Sequence, residues 1–133
     1  MKHLILAGCL ALGLLASNAH AADNDGDAVC QTLSTHLLDA LDHGDFSAAT
    51  TDFDARMKAG LSSDTLSKVW LSVPQQFGAR GEREPAQTAQ VAGSTLVTTS
   101  LHYGSSLIDA RVACDASGKI SGFHIVPHTA AKT

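Results

Sequence analysis

The sequence predicts an α+β domain, with three N-terminal helices packed on a curved antiparallel sheet of about four strands. Apolar residues recur at helical spacing from Val29 to Phe77, whereas they alternate with a period of two between Thr95 and Val126. Short glycine-containing connections separate the later runs, and such connections join antiparallel neighbours as hairpins. Helices followed by strands, without alternation along the chain, favour two segregated layers.

The first 21 residues predict a secretory signal peptide. Lys2 precedes an apolar run from Leu4 to Ala16, and the small residues Ala19 and Ala21 suit cleavage after Ala21. The run is shorter than the roughly 20 apolar residues that span a bilayer. We therefore expect a periplasmic or secreted protein that has no contact with the membrane after cleavage.

The same segment has a second interpretation, because Leu6-Ala7-Gly8-Cys9 resembles the lipid-attachment box of bacterial lipoproteins. Cys9 lies inside the apolar run, however, so only a handful of hydrophobic residues precede it. Lipoprotein signals usually have a longer stretch there. A cleavable secretory signal is therefore the preferred interpretation, and lipidation at Cys9 is the alternative.

Removal of residues 1–21 from the 133-residue chain leaves 112 residues, enough for one hydrophobic core. We expect a flexible, acidic tail over 22–28, a single α+β domain over 29–127 and a C-terminal tail over 128–133. Eight Lys and Arg then stand against 13 Asp and Glu. Nucleic acids and anionic membranes bind clustered basic residues, so neither is an expected partner.

The first two predicted helices meet at a tight corner. The first begins near Val29 and stops at Gly44, and the second is capped by Asp45 and ends at Gly60. Helical spacing of Phe46, Ala49, Phe53 and Met57 marks the buried face of the second helix.

The third helix is predicted to begin after Ser62 and to end at Gly78. Pro74 is expected to kink it or to end its regular hydrogen bonding at the turn that contacts Trp70. Its apolar stripe consists of Leu66, Val69, Trp70, Val73 and Phe77.

Three β-rich runs follow, Thr95 to Tyr103, Ser106 to Cys114 and Lys119 to Val126, and a weaker strand is expected between Ala79 and Ala89. In the second run, alternation places two groups on opposite faces. The face expected to pack beneath the helices carries Ile108, Ala110, Val112 and Cys114, and the other carries Leu107, Asp109 and Arg111.

Two cysteines remain after signal cleavage, Cys30 and Cys114. An even pair in an oxidising compartment is more often a disulfide than a metal site, and neither residue has a CxxC neighbour. Cys114 also lies on the strand face expected to meet the helices. We expect a Cys30–Cys114 disulfide, with two small buried thiols as the alternative.

Familiar catalytic and metal motifs are missing from the sequence. It contains no GxSxG elbow, and its Gly-Ser pairs fall in turns, where these residues are expected. The histidines match no standard zinc spacing. Neither a serine hydrolase nor a metal or cofactor is therefore expected. The five histidines of the mature chain are His36, His43, His102, His124 and His128.

A set of short motifs runs through residues 29–126. They are Gly44-Asp45-Phe46, Phe53-Asp54, Met57, Leu66 with Val69-Trp70, Phe77-Gly78, Arg111-Val112, and Asp115-Ala116-Ser117-Gly118-Lys119-Ile120 with Gly122-Phe123. Together they resemble a bacterial domain of unknown function that is found N-terminal to some secreted α/β-hydrolases. The resemblance implies a cone-shaped fold similar to nuclear transport factor 2, or cystatin-like cone, with a pocket between helices and sheet. It carries over no catalytic residue. Because the sequence ends at Thr133, we expect a stand-alone exported protein without the hydrolase.

Cone-shaped domains of this class include isomerases and dehydratases that use an acid or histidine facing a tyrosine. Alternation prevents His102 and Tyr103 from both pointing inward, and Asp109 with Arg111 is more simply an exposed ion pair. The large aromatic residues are more simply core. The candidate pocket residues are Trp70, Phe77, Tyr103, Asp109, Arg111 and His124.

The preferred function is therefore an exported, non-catalytic binding or interaction domain, and the alternative is an isomerase-like or dehydratase-like enzyme. The expected partners are a second copy of the chain, a separate secreted hydrolase or an apolar small molecule. A cavity with convergent polar groups would favour a ligand or an enzyme. A filled cone with an exposed apolar sheet face would favour association.

Overall fold

A computed structural model describes residues 21–129, and the side chains of residues 25–129. The predicted α+β class is confirmed. Residues 130–133, the alternative lipidation site Cys9 and all of the predicted signal peptide (residues 1–21) except Ala21 lie outside the described residues. The elements are α1 (Ala21–Asp42), α2 (Phe46–Ala49), α3 (Ala55–Gly60), α4 (Ser63–Phe77), β1 (Arg80–Arg83), β2 (Gln87–Val91), β3 (Ser94–Tyr103), β4 (Ser106–Cys114) and β5 (Ile120–Pro127).

Helix α1 is longer than predicted, because it begins at Ala21 and includes the segment 22–28 that was expected to be a flexible tail. Asp25 and Asp27 lie near its N-terminal end, where negative charge complements the helix dipole. Asp27 also accepts a 2.7 Å hydrogen bond from Gln90 Nε2 in β2. Local composition could not show this contact with the sheet. None of the helices within residues 21–129 is long and apolar enough to cross a membrane.

The predicted second helix is two helices, so the expected count of three is wrong. Between α2 and α3 the chain runs extended along the start of β5, where the Ile120 N–H donates to the Asp52 carbonyl at 2.8 Å. The Asp54 N–H donates back to the Ile120 carbonyl at 2.9 Å. Phe53, between them, is only 2% exposed. This pairing with a distant strand interrupts the helical spacing.

Helix α4 begins as predicted and continues further than Pro74. Ser62 Oγ accepts a hydrogen bond from the Thr65 N–H at 3.3 Å, which confirms the N-cap. Pro74 has no N–H to donate to the Trp70 carbonyl, yet the helix runs on to Phe77. Gly78 ends it with a φ of 107°.

The sheet is antiparallel throughout, in the order β1-β3-β4-β5, and β2 also pairs with β3. The weak strand predicted between Ala79 and Ala89 is two strands, β1 and β2, so the sheet has five strands and not four. Both pair with β3, and Pro85 lies between them. The other three predicted strands are confirmed to within a residue at each end.

The two faces of the sheet differ as predicted. Buried residues alternate along β3, so that Tyr103 is 2% exposed while its neighbour His102 is exposed. On β4, the face with Ile108, Ala110, Val112 and Cys114 packs against the core formed with the helices. We call the opposite surface the outer face, and it includes Ser100, Asp109, Arg111 and His124.

The predicted disulfide is confirmed. Cys30 and Cys114 are bonded, with their Cα atoms 5.8 Å apart and a separation of 84 positions in sequence. Both are buried, at 0% and 3% exposure. The bond joins α1 directly to the end of β4, and the alternative of two free thiols does not apply.

The turn between β4 and β5 is organised by one carboxylate. Asp115 Oδ1 accepts hydrogen bonds from Ser117 Oγ at 2.6 Å and from the backbone N–H groups of Ser117 and Lys119, each at 3.0 Å. The Ser117 hydroxyl is the main cause of a lowered pKa for Asp115, and the Lys119 N–H adds to it. The charged form of Asp115 therefore stabilises the turn.

Acid should weaken the contribution of this turn. A carboxylate whose pKa is lowered by folding contributes stability that is complete above its unfolded pKa, here about 3.8, and is lost as the pH falls through the folded value. We expect Asp115→Asn to reduce the free energy of unfolding most at neutral pH and progressively less below about pH 3.8. Denaturant unfolding at several pH values measures this. Ser117→Ala should give a smaller loss with the same pH trend, and a loss independent of pH would contradict the role of the charge.

Candidate functional site

The six candidate pocket residues lie on two sides of the sheet. Trp70 and Tyr103 are buried together between helices and sheet, and Phe77 packs against the same core near the end of α4. The other three, Asp109, Arg111 and His124, are on the outer face. Because the sheet separates the two groups, no single pocket contains an acid from the second group facing Tyr103.

The space between helices and sheet is nearly filled beside Trp70 and Tyr103. The cavity beside Trp70 and Tyr103 has a volume of only about 10 Å³. This is about the room that one water molecule needs. This cavity therefore has no space for an organic ligand or substrate. Residues lining the cavity are Asp42, Trp70, Arg80, Gly81, Arg83, Leu101 and Tyr103.

A larger depression opens next to this cavity, where the end of α1, the short helix α2, α4 and the start of β1 meet. We call it the mouth groove, and its volume is about 330 Å³. Trp70 forms one wall, with its ring perpendicular to that of Tyr103 and the ring centroids 6.3 Å apart. The lining residues are Leu41, Asp42, Gly44, Phe46, Trp70, Leu71, Pro74, Arg80 and Tyr103.

Two arginines of β1 bind the acids at the end of α1, and Arg80 of this pair lines the groove. Arg83 Nη1 lies 2.8 Å from Asp39 Oδ1, and its Nη2 lies 2.6 Å from Asp42 Oδ2. Arg80 Nη1 lies 2.9 Å from Asp42 Oδ1 and donates to the Asp42 carbonyl at 3.2 Å. These cations sit at the C-terminal end of α1, where the helix dipole favours positive charge.

A bulge in β1 brings both arginines to α1. Residues three apart on a regular strand point to opposite faces, but the register with β3 shifts between Arg80 and Arg83. Both side chains therefore reach Asp42. Burial opposes the charge of Arg83, but hydrogen bonds to Asp42 and Asp39 outweigh it and raise the pKa of the guanidinium.

Two hydrogen-bond donors face the groove at this end. Burial raises the pKa of the Tyr103 hydroxyl, and the negative charge of Asp42 raises it further. The hydroxyl therefore stays protonated at neutral pH. The Arg80 side chain is 51% exposed, and both of its polar contacts within residues 25–129 use Nη1. The remaining guanidinium N–H groups are free to donate to a ligand.

On the outer face, the expected exposed ion pair of Asp109 with Arg111 is wrong. Asp109 is 3% exposed, and its Oδ1 accepts a hydrogen bond from Ser100 Oγ at 2.7 Å. His128 Nδ1 lies 2.9 Å from the same oxygen. Ser100 stands opposite Asp109 in the β3–β4 register, so alternation and the hairpin together could have indicated it. His128 follows β5, and no local pattern indicated its approach.

These three residues do not form a nucleophilic triad. In such a triad the histidine stands between serine and acid, so that it can take the serine proton. Here Asp109 stands between Ser100 and His128 and binds both, while Ser100 Oγ and His128 Nδ1 are 3.5 Å apart. The cluster therefore holds its members in place and does not activate the Ser100 hydroxyl.

The remaining histidines form separate pairs with acids. His102 Nε2 lies 3.0 Å from Glu84 Oε2 on the outer face, and His36 Nδ1 lies 3.3 Å from Asp52 Oδ2 on the helical side. Within the part of the chain that the structure describes, no three His, Cys, Asp or Glu side chains are gathered as metal ligands.

Comparisons with curated proteins and with solved structures give no match. One family model does match, over residues 34–123, from the middle of α1 to the middle of β5. The matched region contains Asp42, Trp70, Arg80 and Tyr103 of the mouth groove, together with Asp109. The chain therefore belongs to the family described as protein of unknown function (DUF3887).

Proposed function

We propose that this chain is an exported, non-catalytic binding domain whose mouth groove holds an apolar molecule with a carboxylate at one end. The observation that carries the proposal is a groove with apolar walls and two free hydrogen-bond donors at one end. Export is supported by the signal-like pattern of residues 1–21. The buried disulfide also supports it, because such bonds persist in oxidising compartments.

The walls of the groove suit an apolar body. Phe46, Trp70, Leu71 and Pro74 line it, and Leu71 is 55% exposed although it is a large hydrophobic residue. Ligand sites are mostly apolar concavities with a few placed polar groups, and about 330 Å³ is at the lower end of their usual size. A short-chain or medium-chain molecule fits this volume.

The polar end offers more charge to an acceptor than to a donor. Tyr103 presents a protonated hydroxyl, and Arg80 presents N–H groups that Asp42 does not use. Asp42 Oδ2 accepts a hydrogen bond from Arg83 at 2.6 Å, and Oδ1 lies 2.9 Å from Arg80 Nη1 but is buried and has no hydrogen bond within the described residues. An arginine binds a carboxylate through paired N–H groups more strongly than it binds a neutral acceptor. A carboxylate is therefore the preferred head group.

The enzyme alternative has one observation in its favour, since Asp42 and Tyr103 border the same small cavity as an acid and a phenol. A general base must reach a substrate proton within hydrogen-bond distance. Asp42 and Tyr103 also line the mouth groove, but Asp42 is held in ion pairs by Arg80 and Arg83, which oppose its action as a base. The geometry gives more support to binding than to catalysis.

A relation to the cone of nuclear transport factor 2 is part of the proposal, supported by helices packed on one face of an antiparallel sheet. A protein partner, either a second copy or a separate secreted hydrolase, is the second candidate. The exposed Val69 and Leu71 on α4 favour it, because a partner could cover both. The outer sheet face favours it less, since Ser100, Asp109 and Arg111 make that face polar.

The test uses Trp70, which is the only tryptophan of the chain and lies in the groove wall. We expect octanoate to change its fluorescence in a saturable manner. Octanol, with the same chain length and no charge, should bind about tenfold more weakly, the ratio expected from a loss of about 1.4 kcal/mol. Arg80→Gln should remove most of this difference and leave octanol binding unchanged.

Two variants of α4 distinguish ligand binding in the groove from nonspecific binding to exposed apolar residues. Leu71→Ser should weaken both ligands, because Leu71 lines the groove. Val69→Ser is the matched control, since Val69 is 45% exposed on the same helix and does not line it. Equal effects of the two variants, or no saturable change, would contradict the proposal. Native mass spectrometry could instead show a dimer that Leu71→Ser disrupts and Val69→Ser does not. That result would mean that the groove binds a second copy of the chain and not a small ligand.

A further inference from the structure

A second concave site lies on the outer face of the sheet, and the mouth groove plays no part in it. We call it the outer-face cleft, and its volume is about 330 Å³. The sheet itself separates the cleft from Trp70 and the groove. Its lining residues are Glu84, Pro85, Gln87, Thr88, Ala89, Thr98, Ser100, Asp109, Arg111, His128 and Thr129.

The floor of the cleft is the Asp109 carboxylate, of which one oxygen has no hydrogen-bond donor within the described residues. The side chain of Asp109 is only 5% exposed. Ser100 and His128 both bind Oδ1, and among residues 25–129 no side chain or backbone group donates to Oδ2. The backbone N–H of His128 donates to the Leu107 carbonyl at 3.1 Å, which fixes the imidazole beside Asp109. Oδ2 is not among the fully buried oxygens that lack a partner, so it is the acceptor of this carboxylate that a ligand in the cleft can reach.

A cation without a partner stands next to this floor. Arg111 is the next residue of β4 on the same face, about 7 Å along the strand from Asp109. Within the described residues it forms no ion pair, and its register neighbours Thr98 and His124 carry no negative charge. The other acid of the cleft, Glu84, is paired with His102 at 3.0 Å. Arg111 is therefore available for a ligand anion.

We propose that the outer-face cleft binds a small zwitterion of the amino-acid type, with its ammonium group on Asp109 Oδ2 and its carboxylate on Arg111. A simple anion would lie beside the carboxylates of Asp109 and Glu84, and a simple cation would lie beside Arg111. A zwitterion with its charges a few ångströms apart meets an opposite charge at each end. Arginine holds a carboxylate with two parallel hydrogen bonds, and the flexible Arg111 side chain can cover the spacing.

The test is a titration of the ¹⁵N-labelled protein with L-alanine, followed by heteronuclear NMR at neutral pH. We expect saturable shifts for the amides of Arg111, Thr98 and His128. Acetate and methylammonium carry one half of the charge pattern each, and each should bind at least about tenfold more weakly. Absence of saturable shifts with alanine up to about 100 mM, a concentration that would detect even millimolar affinity, would overturn the proposal.

Variants assign the two ends of the ligand. Arg111→Gln should weaken alanine about tenfold or more and should not weaken methylammonium, because it removes a like charge from beside that cation. Arg56→Gln, an exposed arginine on α3, is the matched control and should change neither. Unchanged alanine binding in Arg111→Gln, or an equal loss in Arg56→Gln, would refute the assignment. Leu71→Ser should also leave the shifts unchanged, so failure of the mouth groove and failure of this cleft are distinguished.

Discussion

Replacing Cys30 and Cys114 together by alanine is expected to lower the free energy of unfolding by about 4 kcal/mol. The bond closes a loop across 84 residues of sequence, so its loss restores much freedom to the unfolded chain. Since small domains have about 5–15 kcal/mol of stability in total, this is a large fraction. Alanine suits both buried positions, which limits other effects of the replacement.

Guanidinium unfolding, followed by Trp70 fluorescence, measures this loss. Reduction of the wild-type protein should destabilise it by a similar amount, and the same reductant should not change the double variant. A loss below about 1 kcal/mol would contradict the expectation, because it would mean that the unfolded chain gains little freedom without the bond.

Gly104→Ala is expected to cost about 3 kcal/mol, from two causes that add. Gly104 opens the two-residue turn between β3 and β4 with a φ of 58°, which disfavours any residue with a Cβ. A Cβ there would also lie 2.7 Å from the Phe77 carbonyl oxygen and 3.3 Å from the Gly78 Cα. These atoms are backbone at the end of α4, so they cannot move aside alone.

Gly93→Ala is the matched control for this prediction. Gly93 has a similar φ of 81° in the turn before β3, but a Cβ there would meet nothing within 4 Å. Its cost should be about 1 kcal/mol, the backbone part alone. Thermal or denaturant unfolding of both variants gives the difference. Equal losses in the free energy of unfolding would contradict the prediction, because they would mean that the end of α4 shifts away from the turn at little cost.

Local patterns predicted the C-terminal half of the fold well. Period-two alternation and two glycine turns were enough to place β3, β4 and β5 and to assign their faces. Alternation along β4 then gave the face on which Cys114 lies. That face, with the count of two cysteines, predicted the disulfide to Cys30. Each of these inferences depends on residues that are near neighbours in sequence or on a simple count.

The N-terminal half was predicted less well, because distant partners override local spacing there. Phe46, Ala49, Phe53 and Met57 have the spacing of one helix. The backbone of Phe53 is nevertheless drawn along Ile120, which lies far away in sequence. In the same way Gln90 holds Asp27 within a segment whose composition indicates a tail.

The candidate sites depended even more on tertiary structure. Trp70 and Tyr103 were identified from their aromatic character, but Arg80 and Asp42 of the mouth groove were missed. Arg80 reaches the groove because of the bulge in β1. The only sign of this bulge in the sequence is Gly81 between polar residues. Asp109 was identified, but its contact with His128, which approaches from beyond the end of β5, was missed.

The position of the β3–β4 hairpin also sets an order for folding. Its strands are joined by two residues, so it can form from one continuous stretch of chain, and contacts of this kind form fastest. Strands β1 and β2 add to β3, and β5 adds to β4, so each needs the hairpin as a template. Helix α1 must then bring Cys30, which lies far N-terminal in the sequence, to the end of β4. We therefore expect the disulfide to form late and to fix a sheet that has already been assembled.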